Sequence, residues 1–246
     1  WKRGDLLGAG QRLFAAVAFG LVIGSVIYYA QNGGPIMALF GIALGAYMIA
    51  GSLTELYLRS GLDKVTGAVA LRRVSGLPRS VFGTALAHIG LGVTLIGIVA
   101  VTAFETEHIV EMKPGMTTDA GGYTLRFDGL RNGNGPNYSE ESGHFTISQG
   151  GIEVAEVWSS KRFYTARQMP TTEAGIRTFG LSQLYVSLGD DIKDGGVVIR
   201  IWWKPMILCI WLGTVFMMAG GAVSLSDRRL RVGAPARAKK QKKPVL

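Results

Sequence analysis

Few side chains in this sequence are equipped for chemistry. There are three histidines, His88, His108 and His144, and one cysteine, Cys209. His88 lies in VFGTALAHIGLGVTLIGIVAVTAF, residues 81–104, a run of 24 residues without a charged side chain. An ionisable group inside such a run is costly to insert in a bilayer and is a functional candidate by default. A neutral imidazole suits iron, and one histidine from each of two helices is a common way to hold a heme between them. The competing reading is a packing histidine that donates to a backbone carbonyl of a neighbouring helix. Gly83, Gly90, Gly92 and Gly97 leave room around His88 for another backbone or a flat ligand. The other apolar runs contain no histidine. A second iron ligand would therefore lie outside this chain, in the polar segments, or be another residue type.

The remaining candidates are weaker. His108 stands in FETEHIVEM beside Glu105, Glu107 and Glu111, and His144 in the strand-like GHFTIS. Neither has a second histidine or a cysteine at metal-ligand spacing, and alternating acids at a strand edge are usually a solvated face. One cysteine excludes a disulfide framework or a cysteine-based metal site within the chain. No GxSxG elbow is present, and the glycines of residues 92–97 sit in an apolar span, not at a phosphate loop. The segment SSKRFYTARQMPTTE, residues 159–173, mixes bases, aromatics, Met and Pro and reads poorly as helix or strand. It is either an ordinary long loop or a surface that docks a partner.

These residues must be positioned by membrane spans. Of 246 residues, 48% are hydrophobic and 17% charged, and the mean hydropathy is +0.27; so low a charged share points to a membrane protein. At about 1.5 Å per residue, residues 81–104 make about 36 Å of helix, enough for a hydrocarbon core of about 30 Å. Further apolar runs cover residues 13–30, 36–53 and 201–225, the last interrupted only by Lys204-Pro205. We therefore expect a membrane protein of four transmembrane helices. The chain opens on Trp1, not Met, and shows no basic leader with a cleavage site, so we expect a fragment of a longer protein.

The net charge of +9 resembles a nucleic-acid signal until it is mapped. Residues 105–199 carry thirteen acids and eight bases, and the excess of bases lies in Lys2, Arg3 and Arg12, in residues 59–79, and in residues 228–243. That is the positive-inside pattern. It puts the N-terminus, the 59–80 connecting loop and the basic tail, residues 226–246, in the cytoplasm, and residues 105–200 outside. Within residues 105–200, Tyr123, Leu125 and Phe127 alternate with polar residues, as do Phe145 and Ile147 and then Ile152, Val154 and Val157. Period-two segments between turn clusters predict a small antiparallel beta domain, a barrel or a sandwich, inserted before the fourth span. Its last strand runs straight into that span, where Trp202, Trp203 and Lys204 stand as interfacial anchors.

The stretches KRFYTARQMPTTEAGIRTFGLSQLYVSLGD and IRIWWKPMILCIWLGTVFMMAGGAVSLSDRR, with the WKRGD opening and AHIGLGVTLIG, resemble the C-terminal region of the CcmF family, the large heme-lyase subunit of bacterial cytochrome c maturation. A close paralogue serving a nitrite-reductase cytochrome shares the pattern. The resemblance implies a subunit in the bacterial inner membrane that joins heme covalently to the CxxCH cysteines of apocytochrome c in the periplasm. It implies a heme-loaded chaperone protein and a thiol-handling subunit as partners. It also implies a transmembrane heme b that keeps the substrate heme reduced, with His88 as one axial ligand of its iron and the second ligand outside this chain. The family's tryptophan-rich motif for substrate heme is absent; Trp202-Trp203-Lys204 is not that motif, and His108 and His144 inherit no role. No catalytic residue is expected here, and the fragment alone should not be a complete lyase. The alternative is a non-catalytic membrane scaffold whose beta domain recruits partner proteins.

Overall fold

The computed structural model describes residues 6–31, 33–61, 65–166, 168–192 and 196–227. The N-terminal bases Lys2 and Arg3 lie outside the described residues, as does the basic tail after Asp227. Two long helices come first, α1 (Leu6–Ala30) and α2 (Ile36–Ser60), then a short α3 (Gly67–Ser75) and a long α4 (Arg79–Phe104). Among the described residues nine strands follow, and then helix α5 (Ile207–Leu225). Helices α2, α4 and α5 are each long and apolar enough to cross a membrane, and Phe14–Ala30 of α1 forms a shorter apolar stretch. Helix is the obligatory form for such runs, because lipid offers no partner for a free backbone N–H or C=O.

Helix α4 sits between α2 and α5, and its glycines explain why. Gly83, Gly90 and Gly97 recur every seven residues and so share one face, which meets Gly213 and Gly220, also seven apart, on α5. A Cβ on Gly83 would stand 2.5 Å from the carbonyl oxygen of Gly220, and one on Gly90 would stand 2.5 Å from that of Gly213. Gly92 points elsewhere, onto α2, where a Cβ would lie 2.6 Å from the oxygen of Gly45. Small residues at both seams let backbones approach closely, the usual source of helix association in lipid. At the far end, Ser80 N–H donates to Asp227 Oδ2 at 3.1 Å, tying the start of α4 to the end of α5.

The strands form two antiparallel sheets. One has the order β1-β9-β8-β7, from β1 (Thr106–Met112), β7 (Gly175–Phe179), β8 (Ser182–Ile192) and β9 (Gly196–Lys204). The other has the order β2-β3-β4-β5-β6, from β2 (Thr117–Ala120), β3 (Tyr123–Asn134), β4 (Tyr138–Gln149), β5 (Ile152–Tyr164) and β6 (Met169–Glu173). Of the two closures allowed by alternation, barrel or sandwich, the fold is the sandwich. Leu125, Phe127, Phe145 and Ile147 of one sheet bury against Leu184, Val186, Ile199 and Ile201 of the other. The strand-forming alternation at 123–127, 145–147 and 152–157 lies in β3, β4 and β5.

Three local readings of the sequence change. Ile201–Lys204, assigned to the fourth span, is the end of β9: His108 pairs with Ile201, Glu107 with Trp202 and Thr106 with Trp203. Inward alternation at Val197, Ile199 and Ile201 extends through these residues, and the helix begins only after Met206 takes a left-handed φ of 52°. Second, most of the 159–173 segment is strand: Ser159–Tyr164 ends β5 and Met169–Glu173 is β6, paired from Ser160–Glu173 to Tyr164–Met169. Third, the 59–80 connection contains α3. Helices α1 and α2 also overrun their apolar runs, to Leu6 and Ser60.

The sandwich is mounted directly on the membrane helices. Only Glu105 separates α4 from β1, and Lys204 Nζ, at the end of β9, reaches its carboxylate at 2.6 Å. The β7–β8 turn supplies two further contacts: Leu208 N–H donates to the Leu181 carbonyl at 3.1 Å, and Met206 N–H donates to Ser182 Oγ at 3.1 Å. Trp203 fills the angle, its ring 5.7 Å from that of Tyr123, which stacks on Phe179 at 4.1 Å.

Candidate functional site

His88 stands on the one long face of α4 left uncovered. Thr84, His88, Leu91, Ile98 and Thr102 are all exposed, and their spacing of three, four or seven places them along one stripe. The glycines at 83, 90, 92 and 97 are filled by the backbones of α5 and α2, so the room near His88 serves helix packing and is not a ligand slot. The ring is oriented by its own helix: Nδ1 lies 2.8 Å from the Thr84 carbonyl oxygen, one turn back. The expected packing bond to a neighbouring helix is thus a bond within α4.

That contact decides the tautomer. A carbonyl can only accept, so Nδ1 carries the proton, and in a neutral imidazole Nε2 then keeps its lone pair. Among the described residues Nε2 has no partner. A backbone carbonyl that fixes one ring nitrogen while the other is left free is the usual support of a metal-bound histidine. The donor chemistry therefore fits an axial ligand of heme iron, with Nε2 as the ligating atom.

A second polar assembly lies on the outer face of the five-stranded sheet. His144 Nε2 is hydrogen-bonded to Glu156 Oε2 at 3.1 Å, and Nδ1 lies 3.3 Å from Asp128 Oδ2. The ring stacks on Trp158 at 4.1 Å, and Arg131 lies over the other ring system of that pair, 5.2 Å from the Trp158 centroid. Burial by itself raises the Asp128 pKa, but hydrogen bonds from Thr146 and Arg126, with the charges of Arg126 and His144, outweigh it and hold this carboxyl below the ordinary aspartate range. Because the two carboxylates take opposite sides of the His144 ring, they do not converge on one point. Among the described residues, no group of three His, Cys, Asp or Glu side chains could hold a metal ion; His108 is exposed on edge strand β1.

Next to this assembly is an open cleft of about 410 Å³ lined by Arg131, Glu140, Ser142, Trp158, Arg162 and Glu173. Arg162 is held charged chiefly by its hydrogen bond to Glu140 at 2.9 Å. It also lies 3.7 Å from Glu173 and over the Tyr138 ring at 4.6 Å. These groupings were invisible in the sequence because their members meet only across strand register; the alternation at Ile152, Val154 and Val157 marked one of the strands and stopped short of Arg162.

Comparison with known proteins agrees with the fold. A family profile described as CcmF C-terminal beta-sandwich matches residues 103–205. The cytochrome c-type biogenesis protein CycK of Rhizobium meliloti is 73% identical over 240 residues, covering 98% of this chain and 36% of that protein. The cytochrome c-type biogenesis protein CcmF of Pseudomonas aeruginosa is 35% identical over 232 residues, covering 94% of this chain and 34% of that protein. The solved structure of a cytochrome c heme lyase CcmF superposes with a TM-score of 0.69 at 17% identity, covering 92% of this chain and 36% of that one. The chain thus spans about a third of the length of the relatives it matches. By its membrane helices, its inserted sandwich and these matches, the chain belongs to the CcmF family of cytochrome c-type biogenesis proteins and corresponds to its C-terminal region.

Proposed function

We propose that this chain is the C-terminal part of a heme-lyase subunit that attaches reduced heme to the CxxCH cysteines of apocytochrome c, with His88 as one axial ligand of a transmembrane heme b. The observation that carries this reading is the His88 ring itself. Its Nδ1–H is committed to Thr84, and its Nε2 is free on the uncovered face of α4. When bound, a b-type heme supplies one-electron chemistry that would keep the substrate heme in the ferrous state needed for attachment. This chain's residues do the holding: Thr84 sets the tautomer, the glycine seams fix α4 against α2 and α5, and α4 runs into β1 with one intervening residue. A second ligand to the iron would come from the part of the protein outside this chain.

In this reading the N-terminus, the 59–80 connection and the tail after residue 226 face the cytoplasm of the bacterial inner membrane, and the sandwich faces the periplasm. His88 then lies about 24 Å along the helix axis from Phe104, where α4 meets the sandwich. The sandwich would cover or orient the periplasmic site where a heme-loaded chaperone, the apocytochrome and a thiol-handling subunit meet. The test is the visible spectrum of the full-length protein, wild type against His88→Ala, oxidised and dithionite-reduced. Loss of the b-type bands in a protein that still inserts supports the ligand role. Unchanged bands would remove it and leave a scaffold whose sandwich recruits partners.

A further inference from the structure

The short helix α3 is held at the membrane surface from both sides. Only Gly76, Leu77 and Pro78 separate it from α4, and this link is a tight turn: Gly76 N–H donates to the Arg73 carbonyl at 3.1 Å and Leu77 N–H to that of Val74 at 3.0 Å. Three linking residues reach about 14 Å even when fully extended, and here they are folded back. On the other side, the Arg73 guanidinium lies against Gly61, the left-handed cap of α2; a Cβ there would stand 2.8 Å from its Nη1. Both neighbouring helices are membrane spans, so α3 cannot leave the headgroup layer.

Its surface suits that layer. Leu71, among the apolar residues farthest from the arginines, is 71% exposed. At 100° per residue, Leu71 and Val74 project from one side of the helix, and Arg72 and Arg73 from the other, with Val69 between them. Both arginines are exposed and neither has an acidic partner among the described residues. Arg59 nearby differs, because it is committed to Glu55 at 2.6 Å. An exposed apolar side beside unpaired arginines, confined to interfacial depth, is the pattern of a helix that lies in the plane of the bilayer.

We propose that α3 is an interfacial helix that binds anionic lipid headgroups through Arg72 and Arg73, with Leu71 set into the acyl boundary. Charge complementarity selects the occupant: two unpaired guanidinium groups at the depth of lipid phosphates favour an anionic lipid over a zwitterionic one. The basic residues of this connection then do more than orient the chain; they fix the cytoplasm-side ends of α2 and α4 to a particular lipid class.

The experiment uses the full-length protein with Leu71→Cys as its single cysteine, spin-labelled, in vesicles of phosphatidylcholine with or without phosphatidylglycerol. The label should be accessible to oxygen and shielded from an aqueous nickel chelate. In native mass spectrometry, Arg72→Gln with Arg73→Gln should bind phosphatidylglycerol about 30-fold more weakly, with phosphatidylcholine binding unchanged, and Arg72→Lys with Arg73→Lys should keep most of the affinity. A label open to the nickel chelate in vesicles overturns the proposal. So does a label shielded equally in detergent, with phosphatidylglycerol binding indifferent to the glutamine pair, since protein would then cover α3.

Discussion

Gly90 of α4 and Gly213 of α5 meet backbone to backbone: a Cβ on Gly90 would stand 2.5 Å from the Gly213 carbonyl oxygen, and the reverse contact is closer still. Neither position can accept a side chain without separating the helices. Because α4 also carries His88 on its uncovered face, this seam sets which way the histidine looks.

Gly90→Leu should therefore destabilise the helix pair by about 1–3 kcal/mol or more, the usual cost of overpacking a closed site. Gly221→Ala, in the same α5 but with nothing within 4 Å of its added Cβ, should leave the melting temperature in detergent almost unchanged. Comparable losses from both substitutions would contradict the seam.

The His88 tautomer makes a prediction finer than loss of function. If Nε2 is the only group that the iron requires from this chain, His88→Gly should lose the b-type bands and added imidazole should restore them, at least in part. Restoration without imidazole would mean that another residue ligates.

Ser159 joins the two sheets. Its hydroxyl, 1% exposed with its residue, donates to the Glu173 carbonyl at 3.0 Å and accepts from Leu188 N–H at 3.1 Å. Ser159→Ala leaves both backbone groups without this partner and should cost about 1–3 kcal/mol, read as a lower urea midpoint for the sandwich. A change within error would show that other groups or water satisfy them.

Asp128 predicts an acid limb. Its carboxyl titrates lower in the folded protein than in the unfolded chain, so the stability it contributes is present in full above about pH 4, the ordinary aspartate value. That stability is lost as the pH falls through the depressed folded value. Asp128→Asn should flatten this part of the stability profile below about pH 4, measured by denaturant unfolding, and leave the slope above it unchanged. An unaltered acid limb would assign the dependence to other carboxylates.

Much of the architecture was determined by the sequence alone. The long uncharged runs had to become helices, because a backbone in lipid must satisfy its hydrogen bonds within its own segment. Alternation at Leu125 and Phe127 or Phe145 and Ile147 had to become strands with one buried face, because successive side chains point to opposite sides. His88 stood out for the same local reason, a polar ring in an apolar run. Only the tertiary structure decided the rest. Whether the sheet closed as a barrel or split into a sandwich depended on long-range pairing between β1 and β9, about ninety residues apart in the chain. The glycines beside His88 could have served a ligand or a helix, and the positions of α2 and α5 chose the helices. His144, Asp128 and Glu156 met through strand register, and Trp202 and Trp203 were drawn into β9 by pairing with Glu107 and Thr106. Local pattern specifies which face of an element is apolar; what that face meets is settled only when distant segments pack.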